Sequence, residues 1–252
     1  MIDKRLIGVV TVKDGWAVQS FGYNRYLPLG RPEVLVENLD RWGADEILLQ
    51  CIDRTRQGLG PDFALLERIG QRGLSTPMIY AGGIRTDQDA VDAVGAAADR
   101  VAVDALIRDD IDAVARAGAR LGNQAMIGVV PMTAGGWLDY RTGASEAPGS
   151  ALLDALSSGM LSEALVIDAA HEGRPDGFDE RLLDALPGEF PLIAFGGISE
   201  PAQVRAILSR PRVVAVGVGN FLSYREHAVQ AIKEAVPGAP IRPAAYHETK
   251  YA

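Results

Sequence analysis

Two glycine pairs with matching surroundings are the first residues in this sequence that could do chemistry. Gly82-Gly83 and Gly196-Gly197 each follow a short apolar run and precede an isoleucine. A glycine pair between a strand and a helix lets the backbone approach an anion closely, and the start of the helix offers N–H donors. The pattern predicts two phosphate sites that face each other, although a tight turn alone would also explain each pair.

The sequence favours the second of these sites. Gly219-Asn220 follows a β-branched run late in the chain, and barrel enzymes commonly bind phosphate beside a short helix in that region. At the corresponding place in the first half, after Val103, stands Asp104, whose carboxylate offers no obvious donor to an anion.

Groups that could exchange protons follow other predicted strands. Thr11 closes the first strand, at the end where parallel barrels form their active sites. The other loops expected at this end supply four acids and one histidine: Asp53, Asp104, Asp168, Glu172 and His171. The remaining histidines, His227 and His247, lie outside it. Glu172 and His171 are the predicted acid/base residues, with a solvated loop residue or a helix cap as the alternative for each.

Short β-branched runs alternate with helical patterns about eight times, which predicts a (β/α)8 barrel and leaves a doubly wound open sheet as the alternative. The run 79–84 recurs at 193–198 and the run 44–48 at 161–165, each about 115 residues later. A duplicated half-barrel explains that repeat, whereas an open sheet does not. We predict one barrel domain over residues 1–252, with a C-terminal tail over 237–252.

Three local expectations accompany this fold. Thr86 is predicted to cap a helix, and residues 53–61 are predicted to form a loop. A helix is expected from about Asp109 to Leu121. The longest irregular stretch, Pro131 to Gly149, could serve as a lid or docking segment.

Composition excludes several classes of partner. The 252 residues carry a net charge of -8, whereas a nucleic-acid surface needs an excess of Lys and Arg. Neither a signal peptide nor an apolar run of membrane-spanning length is apparent, so we expect a cytoplasmic protein that contacts no membrane. The single cysteine, Cys51, excludes an intrachain disulfide and is expected to be buried. No metal and no cofactor are expected.

The chain resembles, over nearly all its length, the HisF-like cyclase subunit of imidazole glycerol phosphate synthase, and more distantly the phosphoribosyl isomerase of the same histidine pathway. The motifs that carry the resemblance are Lys4-Arg5-Leu6-Ile7, Val12-Lys13-Asp14-Gly15, Asp45-Glu46, both Gly-Gly-Ile turns, Glu172-Gly173 and Arg225-Glu226. This resemblance implies a barrel that receives ammonia from a glutaminase docked at its N-terminal face and passes it to a phosphorylated substrate at its C-terminal face. The predicted phosphate contacts are Gly82, Gly83, Asp104, Gly173, Gly196, Gly197, Gly219 and Asn220.

In that family, ammonia enters through a ring of alternating charges at the bottom of the barrel. The matching positions here are Arg5, Glu46, Arg100 and Glu163, each of which opens a predicted strand. Alternating signs would let buried charges neutralise one another, and isolated burial of any one would be costly. The alternative is four ordinary exposed charges at strand starts.

The family's catalytic aspartates, at the ends of the first and fifth strands, are replaced here by Thr11 and Pro131. Neither residue can act as a carboxylate near neutral pH, so the standard cyclase reaction is in doubt. A lysine that assists phosphate binding in the family appears as Gln19. Glu172 fills an acidic family position and is the strongest remaining candidate for acid/base chemistry, and Thr11 stays a candidate by position.

Three functions follow from this pattern. The first is an ammonia-channelling subunit that works with a glutaminase, and with an amidotransferase that accepts the ammonia, in making amidino-bearing surface sugars. The segments 26–33 and 219–227 resemble that branch. The second is a true imidazole glycerol phosphate synthase cyclase with relocated acid/base groups. The third is a catalytically silent barrel that activates or scaffolds a partner.

Overall fold

The computed structural model describes residues 4–175, 177–224 and 226–246. In chain order its strands are β1 (Arg5–Lys13), β2 (Trp16–Phe21), β3 (Arg25–Gly30), β4 (Glu46–Cys51), β5 (Met78–Ala81), β6 (Arg100–Val103), β7 (Met126–Thr133), β8 (Gly136–Leu138), β9 (Ser145–Glu146), β10 (Glu163–Asp168), β11 (Leu192–Phe195) and β12 (Val213–Val218).

Eight parallel strands close into a barrel. Strands β1, β4, β5, β6, β7, β10, β11 and β12 pair in that order, and β12 pairs with β1. On β1, Ile7 lies opposite Glu46 of β4 and opposite Gly217 of β12. The (β/α)8 barrel predicted from the alternation of strands and helices is confirmed.

The helices connect these strands on the outside. They are α1 (Pro32–Arg41), α2 (Ile52–Arg56), α3 (Phe63–Gly70), α4 (Asp87–Ala96), α5 (Ala105–Asp109), α6 (Ile111–Leu121), α7 (Ser150–Ser157), α8 (Arg181–Asp184), α9 (Pro201–Ser209) and α10 (Ala228–Glu234), with short 3-10 turns at Asn123–Ala125 and Asn220–Ser223. Among the described residues, no helix is long and apolar enough to cross a membrane.

Alternation along the strands creates two separate cores. Ile7 and Val9 of β1 belong to a small cluster inside the barrel, whereas Leu6 and Val10 belong to the large cluster between the barrel and the helices. Successive side chains of a strand point to opposite faces, so positions 5, 7, 9 and 11 of β1 share the interior face. The residue types at these positions therefore decide what lines the barrel.

Local capping explains two helix boundaries. The predicted cap Thr86 is confirmed, since its hydroxyl accepts from the Asp89 N–H at 3.0 Å and the Asp89 carboxylate accepts from the Thr86 N–H at 2.9 Å. The helix predicted from about Asp109 to Leu121 corresponds to α6, which begins two residues later, at Ile111. Asp110 is extended (φ −156°) and its carboxylate accepts from the Ala113 N–H at 3.0 Å, which ends α5 and starts α6.

Several stretches contain more regular structure than predicted. The expected loop 53–61 contains most of α2, and the stretch 131–149 contains the end of β7 and the antiparallel strands β8 and β9. Strands β2 and β3 form a further antiparallel pair, here named the mouth hairpin, that continues from β1. Asp14 and Gly15, both at positive φ, make the two-residue turn between Lys13 and Trp16.

Candidate active site

The four charged residues at the strand starts form one closed ring at the N-terminal end of the barrel. Arg5 contacts Glu46 at 3.2 Å and Glu163 at 2.8 Å, and Arg100 contacts the same two glutamates at 3.2 and 3.1 Å. Each glutamate thus lies between two arginines. We call Arg5, Glu46, Arg100 and Glu163 the charged ring; its role as an ammonia gate stays a prediction.

Burial of Glu46, one of the two acids of the charged ring, opposes ionisation of its carboxyl. Burial raises the pKa of Glu46, an effect that its contacts with Arg5 and Arg100 oppose without cancelling. A carboxyl whose folded-state pKa is raised costs folding free energy when it is ionised at neutral pH. Ionised Glu46 therefore carries a folding cost that its two arginine contacts do not fully offset.

Above the ring, the barrel interior is apolar. On β1, Ile7 and Val9 separate Arg5 from Thr11; on β4, Leu48 follows the ring residue. Ala102 and Leu165 take the same place on β6 and β10, above Arg100 and Glu163. The interior face then becomes polar again where the strands end, an end called here the mouth. Charges at one end and polar groups at the other thus enclose an apolar layer.

Both glycine pairs adopt the same conformation. Gly82 and Gly83 have φ values of 137° and 70°, and Gly196 and Gly197 have 110° and 76°. A Cβ on Gly82 would lie 2.3 Å from the Cys51 carbonyl oxygen, and one on Gly196 would lie 2.6 Å from that of Asp168. The repeated geometry fits a duplicated half-barrel. Close backbone approach already requires glycine, so phosphate binding at these turns stays a prediction.

The second predicted phosphate site is covered by the mouth hairpin. The Asn220 side chain donates to the Ser20 carbonyl at 2.7 Å and to the Gly173 carbonyl at 3.3 Å, and its oxygen accepts from the Ser20 N–H at 3.2 Å. Only about 10 Å³ remains between this asparagine and the turns that contain Gly196, Gly197 and Gly219. The structure thus brings these residues together, but the hairpin occupies the side-chain amide of Asn220.

Glu172 anchors the mouth hairpin. Its carboxylate accepts from the Ser20 hydroxyl at 2.9 Å and from the Tyr23 N–H at 3.1 Å, and its carbonyl oxygen accepts from the Gly22 N–H at 2.9 Å. The residue is 2% exposed, and burial raises the pKa of its carboxyl against the opposing effect of these hydrogen bonds. These contacts define a structural task for Glu172, whereas its predicted acid/base role is untested.

His171 lies beside Asp168 at the end of β10. The ring Nδ1 is 2.7 Å from Asp168 Oδ2, and the same carboxylate accepts from the backbone N–H groups of Ala170, His171 and Asp179. Asp168 is 1% exposed, while about a third of the histidine side chain is exposed. The aspartate thus orients both the loop and the imidazole, and an acid/base role for His171 stays a prediction.

Thr11 and Pro131 occupy the two strand positions at which the resemblance leads one to expect catalytic aspartates. Thr11 lies opposite Gln50 on β4 and Val18 on β2, and it borders the small gap beside Glu172. Pro131 lies within β7, opposite Ile167 of β10. Gln19, on the mouth hairpin, is 8% exposed. Neither strand end supplies a titratable group.

The main cavity lies over the first half of the mouth and measures about 330 Å³. Gln50, Cys51 and Asp104 line it from the barrel, and the loops supply Tyr23 and Tyr140. The two tyrosine rings meet edge to face at 5.2 Å, and the Tyr23 hydroxyl donates to the Gln50 side-chain oxygen at 3.1 Å. The mouth hairpin and the 134–149 segment therefore close over the cavity together.

Asp104 is the acid whose environment favours proton exchange. Burial raises its pKa to about 7, helped by Asp139 and opposed by Arg108 and Arg141. Burial also raises the pKa of Cys51 to about 12, which makes that thiol inert near neutral pH. The prediction that Asp104 contacts phosphate stays a prediction, and its carboxylate offers an anion no hydrogen-bond donor when it is ionised.

Some residues of this cavity were not predicted from the sequence. Gln50 could have been found by counting two residues at a time from Glu46, because that face of β4 points inward. Tyr23 and Tyr140 carry no such signal, since loops and hairpins bring them to the mouth.

Among the other residues named from the sequence, Arg225 and His247 lie outside the described residues, and His227 is exposed beside α10. No group of three or more metal-ligating side chains occurs in the described part of the chain.

The chain also matches known proteins along most of its length. Residues 5–228 match the family described as "Histidine biosynthesis protein". A putative imidazole glycerol phosphate synthase subunit hisF2 of Vibrio vulnificus is 26% identical, covering 100% of this chain and 94% of that protein. The imidazole glycerol phosphate synthase subunit HisF is 26% identical in Oleidesulfovibrio alaskensis (94% of this chain, 96% of that protein) and 25% identical in Dehalococcoides mccartyi (96% and 99%). The chain therefore belongs to the histidine biosynthesis protein family and is HisF-like.

Proposed function

We propose that this protein is a HisF-like synthase subunit that receives ammonia from a glutaminase partner at the N-terminal end of the barrel and delivers it to the mouth. The observation that carries this proposal is the closed charged ring at the base of an apolar interior. Neutral ammonia can cross such a layer at little cost, whereas ammonium would lose its hydration there. Relatives named as synthase HisF subunits support the same reading.

We propose that the ring opens at Arg5. Arg100 is fixed from outside the ring, because it donates to the Gln124 carbonyl at 2.9 Å and to the Ser162 hydroxyl at 3.0 Å. Within the described residues, the Arg5 side chain contacts only Glu46 and Glu163. Movement of Arg5 would break two contacts and leave the other half of the ring in place.

Within this function, we place the protein in surface-sugar metabolism, where it would deliver ammonia to a phosphorylated sugar-type substrate or to an acceptor amidotransferase. Thr11 and Pro131 support a departure from the family's usual reaction, because neither can exchange a proton near neutral pH. The segments 26–33 and 219–227 support this branch by their resemblance to it.

The second candidate is a genuine cyclase subunit of histidine biosynthesis with relocated acid/base groups. It is favoured by the names of the relatives and by Asp104, whose pKa of about 7 suits acid/base chemistry. Thr11 and Pro131 count against it, since each replaces a carboxylate that the family uses.

Complementation of a histidine auxotroph that lacks its own cyclase subunit separates the two candidates. The surface-sugar proposal predicts no growth without histidine when the intact chain is expressed with a glutaminase that copurifies with it. A relative from the same family that restores growth in the same strain serves as the control. Growth supported by this chain would overturn the surface-sugar assignment in favour of the cyclase.

A further inference from the structure

Asp104, in the wall of the main cavity, forms a long ion pair with Arg108 in which neither facing atom has a hydrogen-bond partner among the described residues. Its Oδ1 is buried without a hydrogen-bond partner, and the nearest cation, Arg108 Nε, is 3.7 Å away, too far for a hydrogen bond. In the described part of the chain, neither of its carboxylate oxygens receives a hydrogen bond. Buried polar atoms of this kind are rare in folded proteins and call for a partner.

The arginines near Asp104 also form ion pairs with other carboxylates. Arg108 donates to Glu146 at 3.0 Å and stacks on the Trp137 ring at 3.3 Å. Arg141 contacts Asp109 at 2.7 Å and Asp139 at 3.2 Å. Lys13, which also lines the cavity, pairs with Asp14. Asp104 thus shares Arg108 with Glu146, and its ion pair is the longer of the two, at 3.7 against 3.0 Å.

The remaining walls of the cavity suit a planar cation. Tyr23, Tyr26 and Tyr140 border the cavity, and aromatic rings can attract cations, as Lys13 Nζ at 5.4 Å from the Tyr26 ring centroid shows. The carboxylate of Asp104 can accept two parallel N–H bonds from one planar group. At about 330 Å³ the cavity holds a small organic molecule.

We propose that this cavity binds a small planar nitrogen cation of the amidinium class, with the Asp104 carboxylate as its anionic partner. The proposal does not depend on ammonia transfer, because it concerns binding alone. The charged and titratable groups that act on Asp104 are Arg108, Asp139, Tyr140 and Arg141, with Asp53 and Arg56 also in the cavity wall. A bound cation favours the ionised carboxylate, so binding releases a proton.

The test uses the full chain and acetamidinium chloride, with neutral acetamide as the matched probe, followed by NMR chemical-shift titration. A pKa of about 7 leaves Asp104 about one-tenth ionised at pH 6 and about nine-tenths ionised at pH 8. Acetamidinium stays cationic throughout this range. We expect its affinity to be about tenfold higher at pH 8 than at pH 6, and we expect no saturable binding of acetamide.

Two variants test whether Asp104 is responsible for the binding of acetamidinium. Asp104→Asn should weaken acetamidinium binding at pH 8 by about tenfold or more and abolish its pH dependence. Asp53→Asn makes the same charge change in the same wall, where the Asp53 carboxylate already accepts from the Asp14 N–H at 2.9 Å, and should change the affinity less than about threefold. Equal binding of acetamide, pH-independent binding by the native chain, or equal losses in the two variants would overturn the proposal. If Asp104→Asn does not fold, the pH ratio and the acetamide comparison in the native chain decide.

Discussion

Replacing Glu46 with glutamine is expected to uncouple the barrel from its glutaminase while leaving the fold nearly intact. The substitution removes one of the two negative charges of the charged ring, so Arg5 and Arg100 share only Glu163. Ammonia from the partner should then escape to solvent, and glutamine-driven product formation should fall about tenfold or more, which corresponds to at least about 1.4 kcal/mol. Product formation driven by free ammonium at high concentration should remain.

The stability of Glu46→Gln shows whether lost coupling comes from the charged ring or from a damaged fold. Glutamine keeps the shape of the side chain and can still accept from Arg100 Nη1, which donates to Glu46 at 3.2 Å. Because burial raises the pKa of Glu46, loss of its charge also removes a folding cost. Urea unfolding should therefore show a loss of no more than about 2 kcal/mol.

The control for Glu46→Gln is Glu37→Gln, which makes the same change in a helix α1 ion pair with Arg72 at 3.2 Å, outside the charged ring. This control should keep glutamine-driven turnover. Unchanged coupling in Glu46→Gln, or equal losses of glutamine-driven and ammonium-driven turnover, would argue against a gate at the ring.

Replacing Glu172 with alanine is expected to release the mouth hairpin. The change leaves the Ser20 hydroxyl and the Tyr23 N–H without their acceptor and opens a small cavity in a buried site. We expect a loss of about 3 kcal/mol in the free energy of unfolding, from unsatisfied donors together with lost packing. Hydrogen exchange over residues 16–30 should become much faster, as measured by mass spectrometry.

Two further variants distinguish an anchor from a catalytic carboxylate. Glutamine at position 172 can still accept from both donors, so Glu172→Gln should keep most of the hairpin's protection and most of the turnover. Ser20→Ala removes one of the two hydrogen bonds and should cost about 1 kcal/mol with a smaller rise in exchange. Complete loss of turnover in Glu172→Gln with a fully protected hairpin would instead identify Glu172 as catalytic.

The barrel could be predicted from the sequence because its signals are local and repeated. Four strands could be located because a charged residue precedes each apolar run, and these residues are Arg5, Glu46, Arg100 and Glu163. Both glycine pairs recur at matching turns. The contacts within the charged ring could not be predicted from local signals, because its members meet only when β10 pairs with β7 and the barrel closes.

The mouth was harder to predict because distant segments build it. Asp14-Gly15 between Lys13 and Trp16 is a recognised two-residue hairpin signal, yet it does not say where the hairpin docks. Docking depends on Glu172, about 150 residues away along the chain. The long ion pair of Asp104 depends on how Arg108 divides its contacts between Asp104 and Glu146, which sequence order does not reveal.

Passage of ammonia through the barrel is tested most directly by isotope competition. The intact protein, with the glutaminase that copurifies with it, receives amide-¹⁵N glutamine, an excess of unlabelled ammonium and an extract of sugar phosphates and sugar nucleotides. Mass spectrometry then gives the origin of the nitrogen in the new product. Our account predicts product nitrogen that is mainly ¹⁵N despite the unlabelled excess. Product nitrogen with the isotopic composition of the bulk ammonium would contradict it.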